Sequence, residues 1–487
     1  MIMSLYKIIK YQLYLLQLEN YELGRYFGLL WKKGFLPRGE QRKGLVWTTK
    51  AKALLLMALG LHILVGVLFF WAAGLPAEAL TKVGDRPYIY IIAVLVWVFL
   101  FTIYYLLFTI ALMLLWPFDF FAKHFIVWQA KSKILNLKSK IKIIGIAGSY
   151  GKTTMKEVLK QVLGSRFKVQ ATSDSVNTPV GIARWILKNV DEATEIIIVE
   201  MGEHYRGDVE DICNISKPDI AVVTGINEAH LERMGTMENA AATIFEIVGG
   251  LKPKGLAVLN ADDKNVMGNY KKYITPDYRV AIFGRNPKSE IRNPKFDQGK
   301  LGWEIEILEI GKVFVNLLGE YALGDVDAAM KIARELGMTS EEIKKGIEKI
   351  KPVEHRLQAI LSANGVLVID DAYNGNPEGV KEAIKVLSRF EGRRKVYITP
   401  GLVEMGSSTA EIHREIGKQL AGVADVVTLI KNSVTSDIEL GIRNYELGMK
   451  PQIIWFDNAQ EAHAGLKDIL KPGDVVIFQN DWGDQYT

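Results

Sequence analysis

Two long apolar runs stand apart from the rest of this 487-residue chain. Residues 53–75 and residues 88–116 contain no Asp, Glu, Lys or Arg, and each run is long enough to cross a bilayer as a helix. A cleaved signal peptide is not expected, because the first run begins too far from the N-terminus and is too long. The pattern predicts a two-helix transmembrane hairpin over residues 46–125.

Basic residues flank this hairpin on its two outer sides. Seven Lys and Arg residues lie between positions 32 and 52, and six Lys residues lie between positions 123 and 142. The connector, residues 76–87, is balanced in charge. The positive-inside rule then places both ends in the cytoplasm. We expect a multi-pass protein of the inner (cytoplasmic) membrane, with the lipid bilayer as a partner and the later domains in the cytoplasm.

Residues 1–45 mix Tyr and Leu side chains with Glu and Arg. This pattern is typical of one or two amphipathic helices. The sequence leaves two roles open for this amphipathic helical segment, which are association with the membrane surface and binding of a partner.

From about residue 138 the pattern changes to short apolar segments that alternate with amphipathic ones. This alternation indicates an α/β fold with a parallel sheet covered on both faces. The first unit, a doubly wound central domain over 138–351, has predicted strands at 141–147, 195–201, 220–224 and 256–260. Its helices are predicted at 152–164, 178–188, 236–251, 322–336 and 340–350. A polar stretch at 284–300 and two strands at 303–309 and 312–316 predict a hairpin excursion.

A second alternating unit, residues 352–487, predicts a C-terminal Rossmann-like α/β domain. Its predicted strands are 366–369, 395–399, 426–430, 452–455 and 475–478. Its predicted helices are 377–390, 409–423 and 458–469.

The charge balance and the cysteine count bear on the partners and the cellular compartment of the protein. The chain has 60 basic and 55 acidic residues, so its charge gives no support for nucleic acid as a partner. Its one cysteine, Cys213, rules out disulfides within the chain and suits a reducing compartment.

A glycine-rich turn joins the first predicted strand of the central domain to its first helix. Such a turn binds phosphate, because glycines let backbone N–H groups close on phosphate oxygens and the helix N-terminus adds its dipole. Lys152 is expected to reach the outer phosphates, and the Thr153 hydroxyl to bind Mg²⁺. Ile146 stands where the strict P-loop pattern has its first glycine. The candidate nucleotide-binding residues here are Gly148, Ser149, Tyr150, Gly151, Lys152, Thr153 and Thr154.

Polar residues follow three more predicted strands. Because ligands lie outside the carboxyl ends of parallel strands, these residues are expected near the phosphates. Glu200 is a candidate Mg²⁺ ligand. His230 is a candidate for a second Mg²⁺ or for orienting a phosphate, and Asn260 is a candidate nucleotide contact.

The motifs together resemble those of the Mur ligases, ATP-dependent amide-bond ligases of cell-wall peptide synthesis. The resemblance covers roughly residues 140–487. Its C-terminal part is closest to the branch that adds a D-alanyl-D-alanine dipeptide. The motifs are Gly148–Thr154, Val-Glu-Met-Gly at 199–202, Asn-Glu-Ala-His-Leu-Glu at 227–232, Leu-Asn-Ala-Asp-Asp at 259–263, Glu-His-Arg-Leu-Gln at 354–358, Asp-Asp-Ala-Tyr-Asn-Gly-Asn-Pro at 370–377 and Gly-Leu-Val-Glu-Met-Gly at 401–406.

The resemblance implies a reaction with ATP and Mg²⁺ as cofactors. ATP phosphorylates a carboxylate, an amine attacks the acyl phosphate, and phosphate leaves. Arg356 is implied to reach the γ-phosphate, and Asp370 to lie near the ribose. The implied catalytic residues are Lys152, Glu200, His230 and Arg356, the implied metal ligands Thr153, Glu200 and His230, and the implied substrate contacts Asn374, Asn376 and Glu404.

Three positions depart from the family pattern. Ile244 replaces a lysine that is carbamylated in several members to hold a second Mg²⁺. The asparagine of the Thr-Asn-Ile motif is displaced to Asn227, and Tyr321-Ala322 replaces His-Asn in the adenine motif. The predicted membrane segment also takes the place of the uridine-nucleotide domain, which leaves a lipid-linked substrate open.

The first interpretation is a membrane-anchored ligase that adds a D-Ala-D-Ala-like dipeptide or an amino acid to a cell-wall precursor peptide. A catalytically weakened, nucleotide-binding scaffold of wall synthesis is the alternative favoured by Ile244. Another amide ligase of the superfamily, such as a polyglutamate or folate-tail synthase, is the third possibility, and the Tyr-Asn-Gly-Asn-Pro motif argues against it.

Overall fold

The computed structural model describes residues 2–19, 21, 23–33, 44–73, 87–137, 141–173, 176–203, 205–228, 231–285, 290–373, 375–403, 405–432, 434–446 and 450–480. They belong to two compact units, one containing the chain up to Phe125 and the other running from Ile126 to Asp481.

The first unit is helical in its described part. Tyr26 donates a hydrogen bond of 2.6 Å from its hydroxyl to Gln12 Oε1, inside a core of apolar side chains from all four helices. Asp119 forms ion pairs with two lysines, since its Oδ2 lies 2.9 Å from Lys50 Nζ and 2.7 Å from Lys123 Nζ. The helices are α1 (Ile2–Leu18), α2 (Leu23–Lys33), α3 (Thr49–Ala73) and α4 (Pro87–Leu137), the last of which continues into the second unit.

The predicted membrane topology needs correction. Among the described residues, a single helical segment, Leu107–Leu137, has the length and apolar character needed to cross a membrane. One such segment is weak support for any span, since a signal sequence or a core helix can meet the same test. The predicted localisation as a multi-pass inner-membrane protein is therefore wrong, and a lipid bilayer is not supported as a partner. The predicted external connector falls almost entirely outside the described residues.

The second unit contains the predicted parallel sheet of the central domain. Six parallel strands lie in the order β2-β3-β1-β4-β5-β6. The strands are β1 (Lys142–Ala147), β2 (Val169–Ala171), β3 (Ile196–Glu200), β4 (Ile220–Val223), β5 (Leu256–Asn260) and β6 (Arg279–Phe283). After β1 the chain forms β2 and β3 on one side of it, and then β4, β5 and β6 on the other side. The carboxyl end of β1 therefore lies at the switch point where α/β sheets bind ligands.

Both faces of this sheet are buried, which explains the nearly continuous apolar composition of its strands. In β1, Ile144 and Ile146 belong to one core cluster, whereas Ile143 and Ala147 belong to the cluster on the opposite face. The helices around this sheet are α5 (Lys152–Leu163), α6 (Pro179–Asn189), α7 (Asp208–Ser216), α8 (Leu231–Met234), α9 (Met237–Gly249), α10 (Lys264–Asn269), α11 (Tyr321–Glu335) and α12 (Ser340–Glu348).

The excursion before α11 is an antiparallel three-stranded sheet, β7 (Ile291–Asp297), β8 (Gly302–Ile307) and β9 (Gly311–Val315). Trp303 on β8 is buried and donates from its indole N–H to the carbonyl of Leu318 at 3.1 Å. The predicted hairpin is therefore present, and the polar stretch before it supplies a third strand.

The C-terminal part contains a second six-stranded sheet in the order β10-β11-β15-β12-β13-β14. All its pairs are parallel except β10 with β11. Its strands are β10 (Gln358–Leu361), β11 (Leu367–Asp371), β12 (Lys395–Thr399), β13 (Val426–Ile430), β14 (Gln452–Phe456) and β15 (Val475–Gln479). Its helices are α13 (Pro377–Ser388), α14 (Thr409–Ala421), α15 (Thr435–Arg443) and α16 (Ala459–Ile469).

Candidate functional site

The turn after β1 has the backbone conformation of a phosphate loop. Gly148 has φ +148° and Gly151 has φ +79°, both in the region that favours glycine. A Cβ atom on Gly148 would lie 2.2 Å from Thr224 Oγ1, so only glycine fits there. The Ser149 N–H donates to the carbonyl of Gly225 at 2.8 Å, which fixes the loop against the end of β4.

Helix α5 begins at Lys152 directly after this turn. Its N-cap, Gly151, provides no side-chain hydrogen bond to the first turn. First-turn N–H groups have no acceptor within their own helix, and they carry the positive end of the dipole. The loop and the start of α5 thus suit an anionic phosphate. Thr154, predicted to touch nucleotide, is buried.

Lys152 is held by an acidic neighbour that the sequence analysis did not single out. Its Nζ lies 2.7 Å from Glu203 Oε1, and it also donates to the carbonyl of Gly148. Both side chains are largely buried, with 12 % and 4 % of their surface exposed. Lys152 therefore points back over the phosphate loop.

Glu200, at the end of β3, reaches the first turn of α5. The Thr153 hydroxyl donates to Glu200 Oε1 at 3.1 Å, and Lys156 Nζ lies 3.0 Å from Glu200 Oε2. Lys156 is fully buried. Two of the three predicted metal ligands are thus in contact.

A hydroxyl and a carboxylate oxygen beside a phosphate loop are oxygen donors of the kind that Mg²⁺ prefers. Mg²⁺ usually completes its coordination with water and phosphate oxygens, so one carboxylate and one hydroxyl from the protein fit it. No group of three or more His, Cys, Asp or Glu side chains suited to a metal occurs among the described residues. His230, the third predicted ligand, lies outside the described residues.

Tyr150 connects the phosphate loop to the residues after β5. Its hydroxyl donates to Asp263 Oδ2 at 2.6 Å, and burial together with the Asp263 charge raises the pKa of Tyr150. Its ring covers Gly225, where a Cβ atom would lie 2.2 Å from Tyr150 Cζ. Asn260 donates to the carbonyl of Thr224 at 2.6 Å, so its amide braces the end of β4.

The position implied to carry a carbamylated lysine holds a core residue. Ile244 on α9 is fully buried in the apolar cluster behind the sheet. Glu246, two residues later, accepts backbone N–H bonds from Gly207 at 2.8 Å and Glu210 at 3.1 Å at the start of α7. Its carboxylate therefore caps a helix.

Arg356 lies in the segment between the two sheets. Its guanidinium donates to the carbonyl of Tyr373 at 2.5 Å and stacks on the Tyr373 ring, with 4.8 Å to the ring centroid. His355 and Leu357, on either side, both have left-handed backbone with φ of 56° and 46°. Such conformations are unfavourable for side-chain-bearing residues and are common at functional sites.

The two aspartates after Ile369 have different environments. Asp370 Oδ2 lies 2.7 Å from His355 Nδ1, and its Oδ1 accepts the Ala372 N–H at 3.0 Å. Burial raises the pKa of Asp371 to about 7, although the Arg356 charge and the Leu357 N–H oppose this shift. Asp371 is therefore partly protonated near neutral pH.

Asn376 connects the second sheet to the first. It caps α13 by accepting the Gly379 N–H at 3.0 Å, and its Oδ1 also accepts from Asn227 Nδ2 at 3.3 Å. Asn227 donates to Glu378 as well. The displaced asparagine of the first domain thus contacts the Tyr-Asn-Gly-Asn-Pro loop of the second. Asn374 and Glu404 lie outside the described residues.

Comparison with known families agrees with this geometry. The sequence matches the Mur ligase middle domain over residues 146–333 and the Mur ligase glutamate ligase domain over residues 355–479. This chain belongs to the Mur ligase family. It is an ATP-dependent ligase whose cofactors are ATP and Mg²⁺. The domain boundaries at 138, 352 and 46 stay predictions.

Several relatives of this Mur ligase carry one name, UDP-N-acetylmuramoyl-tripeptide–D-alanyl-D-alanine ligase. The protein of Bacillus subtilis strain 168 is 26 % identical over 345 residues, which are 70 % of this chain and 73 % of the relative. That of Mycobacterium tuberculosis strain H37Rv is 28 % identical over 363 residues, or 69 % and 70 % of the two chains. The structure of MurF ligase from Thermotoga maritima in complex with ADP superposes with a TM-score of 0.64 at 27 % identity, covering 74 % of this Mur ligase and 80 % of that chain.

Sequence reasoning missed three residues of this Mur ligase site, namely Glu203, Lys156 and Glu378, and it named Asp263 only as part of a motif, without its contact to Tyr150. Lys156 carried one usable signal, since it lies one helical turn after Thr153 and therefore on a similar face of α5. Glu203 and Glu378 are acidic residues of a loop and of a helix start, and their partners lie far away in the sequence.

Proposed function

We propose that this Mur ligase joins a D-alanyl-D-alanine dipeptide to the free carboxylate of a cell-wall precursor tripeptide. One observation carries the proposal. The Asn227 amide contacts Asn376 and Glu378, so the Tyr-Asn-Gly-Asn-Pro loop lies beside the strand ends that carry the phosphate loop. An activated carboxylate and an amine can then meet at one site. Relatives whose names specify this dipeptide match 345 and 363 residues of the chain.

The proposed reaction has two steps. A carboxylate oxygen of the acceptor attacks the γ-phosphorus of ATP, and ADP leaves. The dipeptide amine then attacks the acyl carbon, loses a proton, and phosphate leaves with that carboxylate oxygen. Charge develops on phosphate oxygens in both steps, so fixed positive groups and N–H donors stabilise the transition states.

Each proposed residue has a role in this scheme. The N–H groups of the Gly148–Thr154 loop bind the phosphates, and Lys152 exchanges Glu203 for phosphate oxygens. Thr153 and Glu200 would hold Mg²⁺, which would neutralise charge on the phosphates. Arg356 is proposed to turn from Tyr373 toward the γ-phosphate. His230 is proposed as a further metal ligand, Asp370 and Asn260 as nucleotide contacts, and Asn374, Asn376 and Glu404 as contacts of the dipeptide.

A second candidate function, a nucleotide-binding scaffold with weak catalysis, is favoured by one observation. The position implied to carry the carbamylated lysine is Ile244, fully buried in the core. An apolar side chain cannot hold a hard cation. The two functions differ in turnover and share nucleotide binding.

The test is ADP release by the purified full-length protein. Tripeptide acceptors in uridine-linked and lipid-linked forms are each assayed with D-Ala-D-Ala, L-Glu or no amine. The proposal expects ADP release over many turnovers only with a tripeptide and D-Ala-D-Ala together, and at most one ADP per enzyme with a tripeptide alone. If L-Glu supports ADP release and D-Ala-D-Ala does not, the protein is a polyglutamate-type ligase and the proposal is contradicted. ADP binding without release under any of these conditions supports the scaffold function.

A further inference from the structure

Lys156 is the most unusual charged residue near the phosphate loop. Its side chain has 0 % of its surface exposed, although it lies on α5 only four residues after Lys152. Lysine is almost never fully buried unless it is paired, because removal of an ammonium group from water is costly. Such a position therefore requires a specific electrostatic partner.

That partner is the proposed metal ligand. Lys156 Nζ lies 3.0 Å from Glu200 Oε2, while Glu200 Oε1 accepts from the Thr153 hydroxyl at 3.1 Å. Thus one carboxylate oxygen faces the lysine and the other faces the hydroxyl beside the phosphate loop. The lysine fixes which oxygen of Glu200 is turned toward that hydroxyl.

A second lysine–glutamate pair lies beside the same loop. Lys152 Nζ lies 2.7 Å from Glu203 Oε1, and both side chains are largely buried. In the described part of the site, the carboxylates of Glu200, at the end of β3, and Glu203, in the loop after it, are thus matched by two lysines of α5. A divalent cation that approaches Glu200 without a nucleotide meets a carboxylate whose negative charge is already compensated by Lys156.

We infer that Lys156 is a positioning residue that orients Glu200 and neutralises it, so that this Mur ligase holds its divalent cation only together with the nucleotide phosphates. This inference rests on the proposed role of Glu200 as a metal ligand. The phosphates bring the negative charge that the paired carboxylates do not offer. Metal and nucleotide are then bound as one unit, and free Mg²⁺ does not occupy the site in advance.

The test measures metal binding without catalysis. Mn²⁺ replaces Mg²⁺, because free Mn²⁺ can be quantified by electron paramagnetic resonance. The full-length protein is titrated at pH 8 without nucleotide, as wild type, Lys156→Met and Lys156→Arg. Lys160→Met is the matched control, since Lys160 lies on the same helix but is 48 % exposed and paired with Glu157.

Removal of one positive charge about 3–4 Å from a carboxylate changes its attraction for a cation by an amount equivalent to at least about tenfold in affinity. We therefore expect Lys156→Met to bind Mn²⁺ at least about tenfold more tightly than wild type. Lys156→Arg and Lys160→Met are expected to stay within about twofold of wild type. Equal Mn²⁺ affinity in wild type and a folded Lys156→Met variant overturns the inference.

A second variant keeps the inference testable if Lys156→Met does not fold. Lys156→Gln keeps an amide donor toward Glu200 but removes the charge, so it should also bind Mn²⁺ at least about tenfold more tightly than wild type. Equal Mn²⁺ affinity in wild type and a folded Lys156→Gln variant overturns the inference.

Glu200→Gln separates this inference from the proposed function. If Glu200→Gln keeps the full gain in ADP affinity that Mg²⁺ gives wild type, Glu200 is not a metal ligand, and both the inference and the proposed role of Glu200 fail, whereas the ligase function is decided separately by the ADP-release assay. If that gain is lost in Glu200→Gln while Lys156→Met binds Mn²⁺ like wild type, only the role of Lys156 fails.

Discussion

At the residue scale, charged pairs beside the phosphate loop determine how the site meets a nucleotide. Lys152 contacts Glu203 and the carbonyl of Gly148, so its ammonium is already placed over the loop. Exchange of these partners for phosphate oxygens requires only a local movement of one side chain. The loss of this lysine should therefore affect catalysis far more than folding.

Lys152→Ala is expected to lower the rate of ADP formation at least about a hundredfold, because lost stabilisation of this kind costs about 3 kcal/mol in the barrier. Lys160→Ala, on the exposed side of the same helix, should keep wild-type turnover. Thermal unfolding of both variants shows whether the fold is kept. A modest decrease in the unfolding midpoint is expected for Lys152→Ala because Glu203 loses one ion pair. Near-normal turnover by Lys152→Ala would refute the phosphate-loop assignment.

Ile244 leads to a second residue-scale prediction. Carbamylation needs a lysine amine, and the position implied to carry one holds a fully buried isoleucine. ADP release should therefore be the same in buffer stripped of carbon dioxide and in buffer with added bicarbonate. Stimulation by bicarbonate would mean that another lysine has taken over the role. Ile244→Lys should destabilise the protein, since it places an unpaired ammonium in the core.

Asp371 makes stability depend on pH. Its pKa is raised by burial to about 7, above that of an exposed aspartate. The native state therefore holds a proton that the unfolded chain releases, so this group's contribution to stability falls as pH rises from about 4 through about 7. Between pH 5 and pH 8, wild type should lose on the order of 2 kcal/mol relative to Asp371→Asn. If the unfolding midpoints of wild type and Asp371→Asn change by the same amount between pH 5 and pH 8, Asp371 is not buried as described.

At the element scale, two glycines determine how α14 and α15 pack. A Cβ atom on Gly441 would lie 2.1 Å from the carbonyl oxygen of Arg414, and one on Gly417 would lie 2.1 Å from that of Ile438. The two helices thus cross backbone to backbone. No apolar period in the sequence marks such a contact, which is one reason why α15 was not predicted.

Gly441→Ala should force these helices apart and cost about 1 to 3 kcal/mol, as is usual for overpacking. Gly249→Ala is the matched control, because Gly249 ends α9 with nothing within 4 Å of its added Cβ. That change should be neutral or stabilising by up to about 1 kcal/mol. Thermal unfolding of the two variants measures the difference, and equal midpoints would contradict the described packing.

The elements that the sequence predicted are those with a clear apolar period and a recognisable turn. β1, β5 and β12 agree with their predicted ranges to within one residue, because buried parallel strands are continuous apolar runs. β2, β6, β7 and β10 were missed. They are partly exposed, short or polar, and their pairing partners rather than their own side chains make them strands.

At the scale of the whole molecule, side chains of the first sheet's domain meet those of the second. Glu320, at the start of α11, pairs with Lys385 and Arg389 near the end of α13. Arg389 also stacks on Trp303 of β8, with 5.0 Å to the ring. These contacts join residues more than 60 positions apart, which is why sequence motifs located the phosphate loop but not the residues that hold the two domains together.

The prediction of a multi-pass membrane localisation was wrong at this same scale. Apolar length and flanking charge are properties of a segment, and they do not distinguish a membrane span from a helix that packs in a protein core. Leu54, Ala58 and Phe108 of the predicted spans lie in one buried cluster with side chains of α1 and α2, whereas most of the apolar stretch in Leu107–Leu137 is not buried within the described residues. The motifs of residues 140–487, in contrast, depend on several residue types at fixed spacing and were specific enough to indicate the family.

The central claim is that ATP cleavage is coupled to formation of one amide bond between the precursor tripeptide and D-Ala-D-Ala. The most direct measurement labels the acceptor carboxylate with oxygen-18 and analyses the products of the full-length enzyme by mass spectrometry. The account predicts one ADP per ligated product, with one labelled oxygen in the released phosphate. Unlabelled phosphate, or ADP released without a ligated product, would contradict it.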